Sequence, residues 1–254
     1  DNKRSLSFFK PAPNVEKFQR PLRELQAVDE QLLKFAMKLG TVIIVTNAME
    51  PWVETSCKNF LPALMPLIKQ LPVVYARSIY ETQGLERASS PGRATASSPT
   101  GAGAKSSSSQ ALPGLYAANG QNRLGNFNGR LANQRFDEMA PQHWKEVAFT
   151  KEIDGFYSRY AHQSWKNVIS IGDSIFERDA VRRVVLTRPN TKKKCRTKTL
   201  KLFDDPDVDE LIAQVRVVKD VISMMVQYDG HLDIEIDEED LKAGNVGLSE
   251  KLVD

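Results

Sequence analysis

A short acidic segment that follows an apolar run is the part of this chain best suited to chemistry. Asp173 and Glu177 lie four residues apart at the start of a predicted helix, so both carboxylates face one side of it. The preceding residues, 167–171, are rich in β-branched side chains and predict a strand, whose carboxyl edge is where open α/β sheets bind ligands. Carboxylate oxygens suit Mg²⁺, and we predict a magnesium site at Asp173 and Glu177.

The same residues also have a purely structural interpretation. Gly172 would let the backbone turn tightly, and Asp173 with Ser174 could cap the next helix, since Asp and Ser are favoured caps. Glu177 would then stabilise the positive end of the helix dipole. This short motif, taken alone, leaves capping and metal binding equally open.

Length and composition indicate one ordinary α/β domain with an insertion. The 254 residues are 41% hydrophobic and 26% charged. No apolar run approaches the roughly 20 residues that span a bilayer, and the first residues lack the apolar core of a signal peptide, so we expect no membrane association. Cys57 and Cys195 have no metal-ligand spacing, which favours a reduced, intracellular (cytoplasmic) protein.

Helix-like and strand-like patterns alternate along the chain and predict a parallel, Rossmann-like sheet with helices on both faces. Residues 41–45 form a continuous β-branched run, typical of a strand buried on both faces of such a sheet, and Thr46 with Asn47 ends it. The other predicted strands are 71–76, 167–171 and 198–203. The predicted helices are 14–38 with an interruption at Pro21, 51–69, 142–160, the stretch from about 174, and 208–228.

Composition divides the chain further. Ser, Gly, Ala, Asn and Pro dominate residues 82–135, which cannot bury enough apolar surface to offset their ordering entropy. We predict, in chain order, an N-terminal segment, the first part of the α/β domain, a disordered low-complexity insertion, the second part of the domain, and an acidic tail that frays. Their bounds are 1–13, 14–81, 82–135, 136–230 and 231–254.

The net charge of +3 conceals a strong asymmetry. Residues 182–201 hold nine basic side chains and no acidic one, whereas residues 203–254 hold fifteen acidic and four basic side chains. A basic stripe beside an acidic tail usually means solvated faces or mutual screening. Because no aromatic residues interleave with the stripe to stack on bases, we do not expect nucleic acid as a partner.

Three motifs, in this order along the chain, resemble those of the haloacid dehalogenase (HAD) superfamily of phosphatases and related hydrolases. Residues 42–47 are similar to the family's second motif, a hydrophobic strand that ends in Thr or Ser. Lys145, placed 28 residues before Asp173, is similar to the third-motif lysine, and residues 169–177 are similar to the fourth motif. Two other lysines are alternatives for the third motif: Lys151 and Lys166.

The resemblance implies Mg²⁺-dependent hydrolysis of a phosphorylated substrate. Thr46 and Asn47 would bind the phosphoryl group, Lys145 would neutralise charge on its oxygens, and Asp173 with Glu177 would hold the Mg²⁺. Family members commonly select substrates with a cap domain, and the insertion occupies the place of one type of cap. Because its composition argues against a folded cap, an open site and a large substrate such as a phosphoprotein are expected.

One family feature does not occur in this sequence. The first HAD motif, a strand followed by Asp-x-Asp-x-Thr, supplies the nucleophile and the general acid/base, and no such motif is found. In the family, that strand lies between the strands that carry Thr46 and Asp173. We therefore expect a fragment whose first motif lies upstream of Asp1, inactive as given. The intact parent protein would form an aspartyl-phosphate intermediate.

Two other functions stay open. A non-catalytic HAD-like interaction module would keep the fold and need no nucleophile. A Gly-Asp-Ser type esterase would use Ser174 as nucleophile, although its Asp-x-x-His is matched here only by Asp229-Gly-His231, which has the wrong spacing.

Overall fold

Helices and parallel strands alternate in the protein, as the computed structural model shows for residues 9–89, 128–159, 167–187 and 195–243. The protein is therefore of the mixed α/β class. In chain order the elements are α1 (Glu16–Leu39), β1 (Ile44–Thr46), α2 (Trp52–Phe60), α3 (Met65–Ile68), β2 (Val73–Tyr75), α4 (Ala76–Ser89), α5 (Asn128–Arg159), β3 (Asn167–Gly172), α6 (Ile175–Leu186), β4 (Arg196–Lys201), α7 (Val208–Gln227), β5 (Leu232–Glu235) and α8 (Glu238–Ala243).

The strands form two sheets where the sequence predicts one. β1 pairs with β2, and β3, β4 and β5 form a second sheet in that order. Within the described residues no strand lies between β1 and β3. The burial of the strands reflects this arrangement, because β4 has a buried centre whereas every residue of β1 and β3 is only partly buried. The prediction that residues 41–45 form a strand buried on both faces is therefore wrong for this structure.

Helices cover both faces of the three-stranded sheet. Ile169 and Ile171 of β3 pack against the apolar face of α7, in a core cluster that includes Val218 and Met225. Val168 lies between them in sequence and packs instead with residues of α5 and α6, among them Val181. Because successive strand residues point to opposite faces, α7 and α6 must lie on opposite sides of this sheet.

α1 is one continuous helix that spans the two sheets. Pro21 lies near its start and does not interrupt it, contrary to the interruption predicted there from the sequence. Leu32 packs against the core of the three-stranded sheet, and the next residue, Leu33, packs with Ile44 and Val73 of the two-stranded sheet. α1 therefore joins the sheets on the face that α7 covers.

The C-terminal part of the chain differs most from the prediction. Residues 232–235, placed in the fraying tail, form β5 and pair in parallel with β4. Leu232, Ile234 and Ile236 are buried, whereas Asp233 and Glu235 alternate with them and remain exposed. This two-residue period is that of a strand with one covered face, and the acidic composition obscures it in the sequence. The rest of the predicted tail, 244–254, lies outside the described residues.

Helices also enter the predicted insertion from both sides. α4 continues to Ser89 and α5 begins at Asn128, so both helices extend past the bounds predicted for the insertion. The two helices run side by side: the Arg77 guanidinium lies 5.3 Å from the centre of the Trp144 ring, and the rings of Tyr80 and His143 meet edge to face. The predicted disorder of residues 90–127 lies outside the described residues, as do residues 1–8 of the predicted N-terminal segment.

Two prolines divide the helix predicted at 51–69. Pro62 opens a 3₁₀ turn after α2, and Pro66 lies in the first turn of α3, where its missing N–H costs little.

Among the described residues, no helix is both long and apolar enough to cross a membrane.

The basic stripe is paired rather than free wherever the structure describes it. Arg196 forms an ion pair with Asp229 at 2.6 Å, and the Lys198 ammonium is buried on backbone carbonyls at the end of α7. The other described members pair with carboxylates as follows: Arg182 with Asp233, Arg183 with Glu146, and Lys201 with Asp204 and Glu235. Residues 188–194 lie outside the described part of the chain.

Candidate functional site

Lys145 joins the ends of β1 and β3. Its ammonium donates to the carbonyl oxygen of Val45 in β1 at 2.8 Å and forms an ion pair with Glu177 Oε1 at 2.6 Å. Because Glu177 lies in the first turn of α6, just after β3, the carboxyl ends of the two strands must face each other across this lysine. We call this edge of the two sheets the carboxyl rim. Lys145 is 2% exposed, so the ion pair is largely removed from water.

Contacts between helices hold Lys145 in place. Glu146, the next residue in α5, accepts hydrogen bonds from Gln142 of the same helix and from Arg183 of α6 at 3.1 and 3.0 Å. The sequence did not predict a role for Glu146 or Arg183. The four-residue spacing of Gln142 and Glu146 was its one signal for these contacts. Lys151, the alternative lysine in α5, is exposed, and Lys166 lies outside the described residues.

Thr46 ends β1 at the carboxyl rim. Its hydroxyl oxygen accepts a hydrogen bond from the backbone N–H of Ala48 at 3.1 Å, which closes the turn after the strand. A hydroxyl that accepts in this way keeps its own proton to donate. Thr46 can therefore donate to an oxygen atom of a ligand placed beside Lys145.

Asn47 ties the loop after β1 to α5. Its side-chain nitrogen donates to the carbonyl oxygen of Pro141 at 3.1 Å. Its side-chain oxygen is buried and has no hydrogen-bond partner among the described residues. An amide oxygen can only accept, so it complements a donor or a cation rather than a phosphoryl oxygen. The geometry thus gives Asn47 a clear positioning role, whereas the substrate contact predicted for it stays a prediction.

Ser174 performs the capping role that the sequence left open between two residues. Its hydroxyl accepts from the backbone N–H of Phe176 at 3.1 Å, which caps α6. Asp173 is exposed and makes no hydrogen bond or ion pair with any described residue. Its carboxylate is therefore available to a ligand at the carboxyl rim.

Gly172 does not form the tight turn expected of it. It is the last residue of β3, pairs with Lys201 of β4, and its backbone is not in the left-handed region. A Cβ at this position would lie 3.4 Å from Cγ of Glu177. A side chain at this position would therefore be in ordinary van der Waals contact with Glu177, so the structure shows no steric need for glycine here.

The acidic residues offer an incomplete set of metal ligands. Within the described part of the chain, no group of three or more His, Cys, Asp or Glu residues could hold a metal ion. Asp173 is open to solvent, and Glu177 Oε2 is buried without a hydrogen-bond partner in that same part. Mg²⁺ often binds through one or two carboxylates, with water and phosphate oxygens as its other ligands. The two residues fit that pattern as a partial site.

A groove runs below the Lys145–Glu177 ion pair. Its volume is about 260 Å³, and it lies between residues 41–45, on and just before β1, and residues 167–171 of β3, with α5 forming its wall. The apolar wall of α5 includes Phe149, Ile153 and Phe156. This groove was not foreseen as a cavity, because its two sides are more than 100 residues apart in the sequence.

The histidine positions bear on the esterase hypothesis. His231 accepts from the backbone N–H of Thr197 near the start of β4. Ser174 follows the end of β3, which is parallel to β4, so the two residues lie at opposite edges of the sheet. His143 lies beside Glu146 on α5. The Ser174 hydroxyl and His231 are therefore not placed as a catalytic pair.

The structure brings Thr46, Lys145, Asp173 and Glu177 to the carboxyl rim. Comparison of the chain with known protein families, with curated proteins and with solved structures found no match. Any functional assignment therefore depends on the geometry of this rim.

Proposed function

We propose that this chain belongs to a Mg²⁺-dependent phosphohydrolase with a HAD-like, Rossmann-type domain, and that the carboxyl rim binds the phosphoryl group. The observation that carries the proposal is Lys145, whose buried ammonium lies between the end of β1 and the start of α6. Thr46 ends β1 and Asp173 follows β3. A hydroxyl and a carboxylate therefore lie at the two strand ends that the Lys145 ammonium joins. Groups of these kinds can position a phosphoryl group and stabilise the charge on its oxygens.

Each residue has a distinct task in this proposal. The Thr46 hydroxyl donates its proton in a hydrogen bond to a phosphoryl oxygen, and the Lys145 ammonium neutralises charge that spreads over these oxygens. Asp173 would hold Mg²⁺, with Glu177 Oε2 as its nearest acidic supporter. The bound ion would supply electrostatic stabilisation of the transferred group.

The nucleophile in this proposal is the aspartate of the first HAD motif, which does not occur in this sequence. In this proposal Asp173 would hold the Mg²⁺, and Glu177 pairs with Lys145. In the proposed reaction a carboxylate oxygen bonds to phosphorus while the bond from phosphorus to the leaving oxygen breaks. Water then cleaves the acyl phosphate and releases inorganic phosphate. The 254-residue chain alone is expected not to turn over.

Exposed apolar side chains around the carboxyl rim support a large substrate. Met49 and Trp52 follow β1 and are 69% and 42% exposed, and Ile175 follows β3 and is 49% exposed. Exposed apolar residues that cluster around a site mark contact with a large partner. A phosphorylated protein that binds at the rim would be large enough to cover these side chains.

The proposal is tested with Asp173→Asn in the longest natural form of the protein. We expect loss of Mg²⁺-dependent hydrolysis of p-nitrophenyl phosphate with little change in unfolding temperature, because Asp173 is exposed and has no partner among the described residues. Asp179→Asn is the matched control, since Asp179 is also an exposed carboxylate, lies on α6 and is not one of the proposed ligands. Unchanged hydrolysis in Asp173→Asn would remove this residue from the metal site.

The main alternative is a non-catalytic interaction module. It is favoured by the lack of a three-ligand metal group in the described part of the chain. A module would show neither hydrolysis nor Mg²⁺-dependent stabilisation in the longest natural form. Mg²⁺ titration followed by thermal unfolding therefore separates the two functions, since a ligand that binds only the folded state raises its stability.

A further inference from the structure

We propose that Arg77 binds a second anionic group of the substrate, the carboxylate of an acidic residue close to the phosphorylated residue of a protein. Arg77 would thus determine specificity without taking part in phosphoryl transfer. The inference rests on the proposed function, because that function places the phosphoryl group beside Thr46 and Lys145. It goes further by naming acidic residues around the phosphorylated residue as the feature that is recognised.

The register of the two-stranded sheet places Arg77 at the carboxyl rim. Thr46 at the end of β1 is the register partner of Tyr75 at the end of β2. α4 begins directly after β2 at Ala76, so Arg77 lies in the first helical turn beyond the rim. Neighbouring strands are about 4.8 Å apart, and an extended peptide advances about 3.3 Å per residue. A substrate residue two or three positions from one bound at Thr46 can therefore reach Arg77.

α5 holds the Arg77 guanidinium close to Lys145. The guanidinium lies 5.3 Å from the centre of the Trp144 ring, which is within the range of a cation–π interaction. Trp144 immediately precedes Lys145 in α5. Ala76 and Ala148 are both fully buried in one core cluster, so α4 and α5 pack closely at this point. The helix that carries the rim lysine therefore also sets the position of Arg77.

Arg77 keeps one edge of its guanidinium for a ligand. Its Nε donates to Glu81 Oε1 at 2.8 Å, whereas its two terminal nitrogens have no hydrogen-bond partner among the described residues. These two nitrogens form a planar fork that matches the two oxygens of a carboxylate. The side chain is 43% exposed and is therefore accessible to a ligand. In a protein substrate, the groups that fit this fork are Asp and Glu side chains.

Three other cations at the rim are occupied by groups of the protein itself. Each of them has at least two partners, which are as follows: Asp233 and Glu235 for Arg178, Asp204 and Glu235 for Lys201, and Glu177 and the Val45 carbonyl for Lys145. Arg77 differs because Glu81 contacts only its Nε. It is therefore better placed than these three cations to pair with an acidic residue of a substrate.

Binding of two fluorescein-labelled phosphopeptides, followed by fluorescence anisotropy, tests the proposal. In one peptide, aspartates occupy the second and third positions on each side of a phosphoserine, and the other has asparagine at these positions. The longest natural form of the protein is used with EDTA in place of Mg²⁺, so that neither peptide is hydrolysed. We expect the aspartate peptide to bind about fivefold more tightly, which is the effect of a partly exposed ion pair.

Variants of Arg77 assign this preference to its side chain. Arg77→Gln should bring the ratio of the two affinities close to one. Arg216→Gln is the matched control and should keep the wild-type ratio, because Arg216 is an exposed arginine of α7 that also pairs with one glutamate. Arg77→Lys is a second variant in case Arg77→Gln does not fold. It should lower the ratio, because an ammonium cannot form the two parallel bonds of the guanidinium fork.

Three results would overturn the inference: equal binding of both peptides by the wild type, no binding of either peptide, and an undiminished preference in the Arg77 variants. The proposed function is judged separately, from hydrolysis of p-nitrophenyl phosphate, an ester without a carboxylate. Hydrolysis by the wild type together with equal peptide binding would refute only the role of Arg77. An Arg77-dependent preference without hydrolysis would refute the phosphohydrolase and support recognition of acidic residues.

Discussion

At the scale of single residues, the ion pair between Lys145 and Glu177 is the feature on which the carboxyl rim depends. The lysine side chain is 3% exposed and the glutamate side chain 18%. Taking such charges out of water is costly, and their mutual attraction and further hydrogen bonds compensate for it. Loss of one partner is therefore far more harmful than loss of both.

This asymmetry gives a stability prediction. Lys145→Met should lower the free energy of unfolding by about 3 kcal/mol, because Glu177 would keep a buried charge without its partner. The double variant Lys145→Met with Glu177→Gln should regain a large part of that loss. Urea unfolding measures both values. Lys151→Met, at an exposed position of α5, should change stability by less than about 0.5 kcal/mol.

If the double variant were as unstable as the sum of the two single variants, the two side chains would act independently. The ion pair would then contribute nothing specific to the rim.

Asp29 gives a second prediction at this scale, in the pH dependence of stability. Burial raises the pKa of its carboxyl group to about 6. A carboxyl whose pKa is higher in the folded state contributes stability below the unfolded pKa of about 3.9, and this contribution is lost as the pH rises through about 6. Between pH 4 and pH 7 the wild type should lose about 2 kcal/mol relative to Asp29→Asn.

The measurement is urea unfolding of both proteins at half-unit pH steps. A difference between them that stays constant across this range would show that Asp29 titrates normally in the folded protein.

At the scale of elements, Lys198 links β4 to the C-terminal end of α7. It is fully buried, and its ammonium donates to the carbonyl oxygens of Met225, Val226 and Tyr228. Burial, followed by the nearby Arg196, lowers the pKa of this ammonium. A cation at this position satisfies carbonyls that a helix end leaves unpaired and interacts favourably with the helix dipole.

Lys198→Met should therefore destabilise the protein by about 3 kcal/mol, since several buried carbonyls would lose their donor. Amide exchange at residues 225–228 should accelerate more than exchange at the start of α7. Arg216→Met is the control, because Arg216 is an exposed residue of α7 and its pairing with Glu24 is a surface contact. Equal stabilities of the two variants would argue against a capping role for Lys198.

The helices and strands also show which parts of the fold could be predicted from the sequence. β3 and α6 are close to their predicted bounds, because a β-branched run followed by a capping serine is a strong local signal. β5 was not predicted, because its alternating apolar residues lie in an acidic segment. The contact of Lys145 with Val45 depends on residues 100 positions apart, and no local pattern reports such a distance.

The sequence motifs identified the candidate residues but did not assign a role to each of them. Thr46, Lys145, Asp173 and Glu177 were all chosen from motifs, and all lie at the carboxyl rim. Sequence could not decide which of Asp173 and Ser174 caps α6, since both residue types serve as caps. Only the hydrogen bond from Phe176 to Ser174 assigns that role.

At the scale of the whole molecule, two parallel sheets share helices without sharing a strand. α1 contacts both sheets, and Lys145 of α5 reaches β1 while the same helix packs on α6. The parallel direction of all described strand pairs was predictable from the alternation of patterns. The gap between the sheets was not, because the pairing of edges is a long-range property.

The packing of α1 on α7 has a consequence for synthesis of the protein. Glu24 and Arg216, which form an ion pair between these helices, are separated by 192 positions. The part of the α1 apolar face that packs on α7 therefore has no partner there until α7 has been translated, whereas Leu33 can pack earlier with Ile44 and Val73. Contacts of such long sequence separation form slowly and leave apolar surface open to aggregation in the meantime. Nascent chains of this protein should accordingly depend on chaperones until α7 emerges.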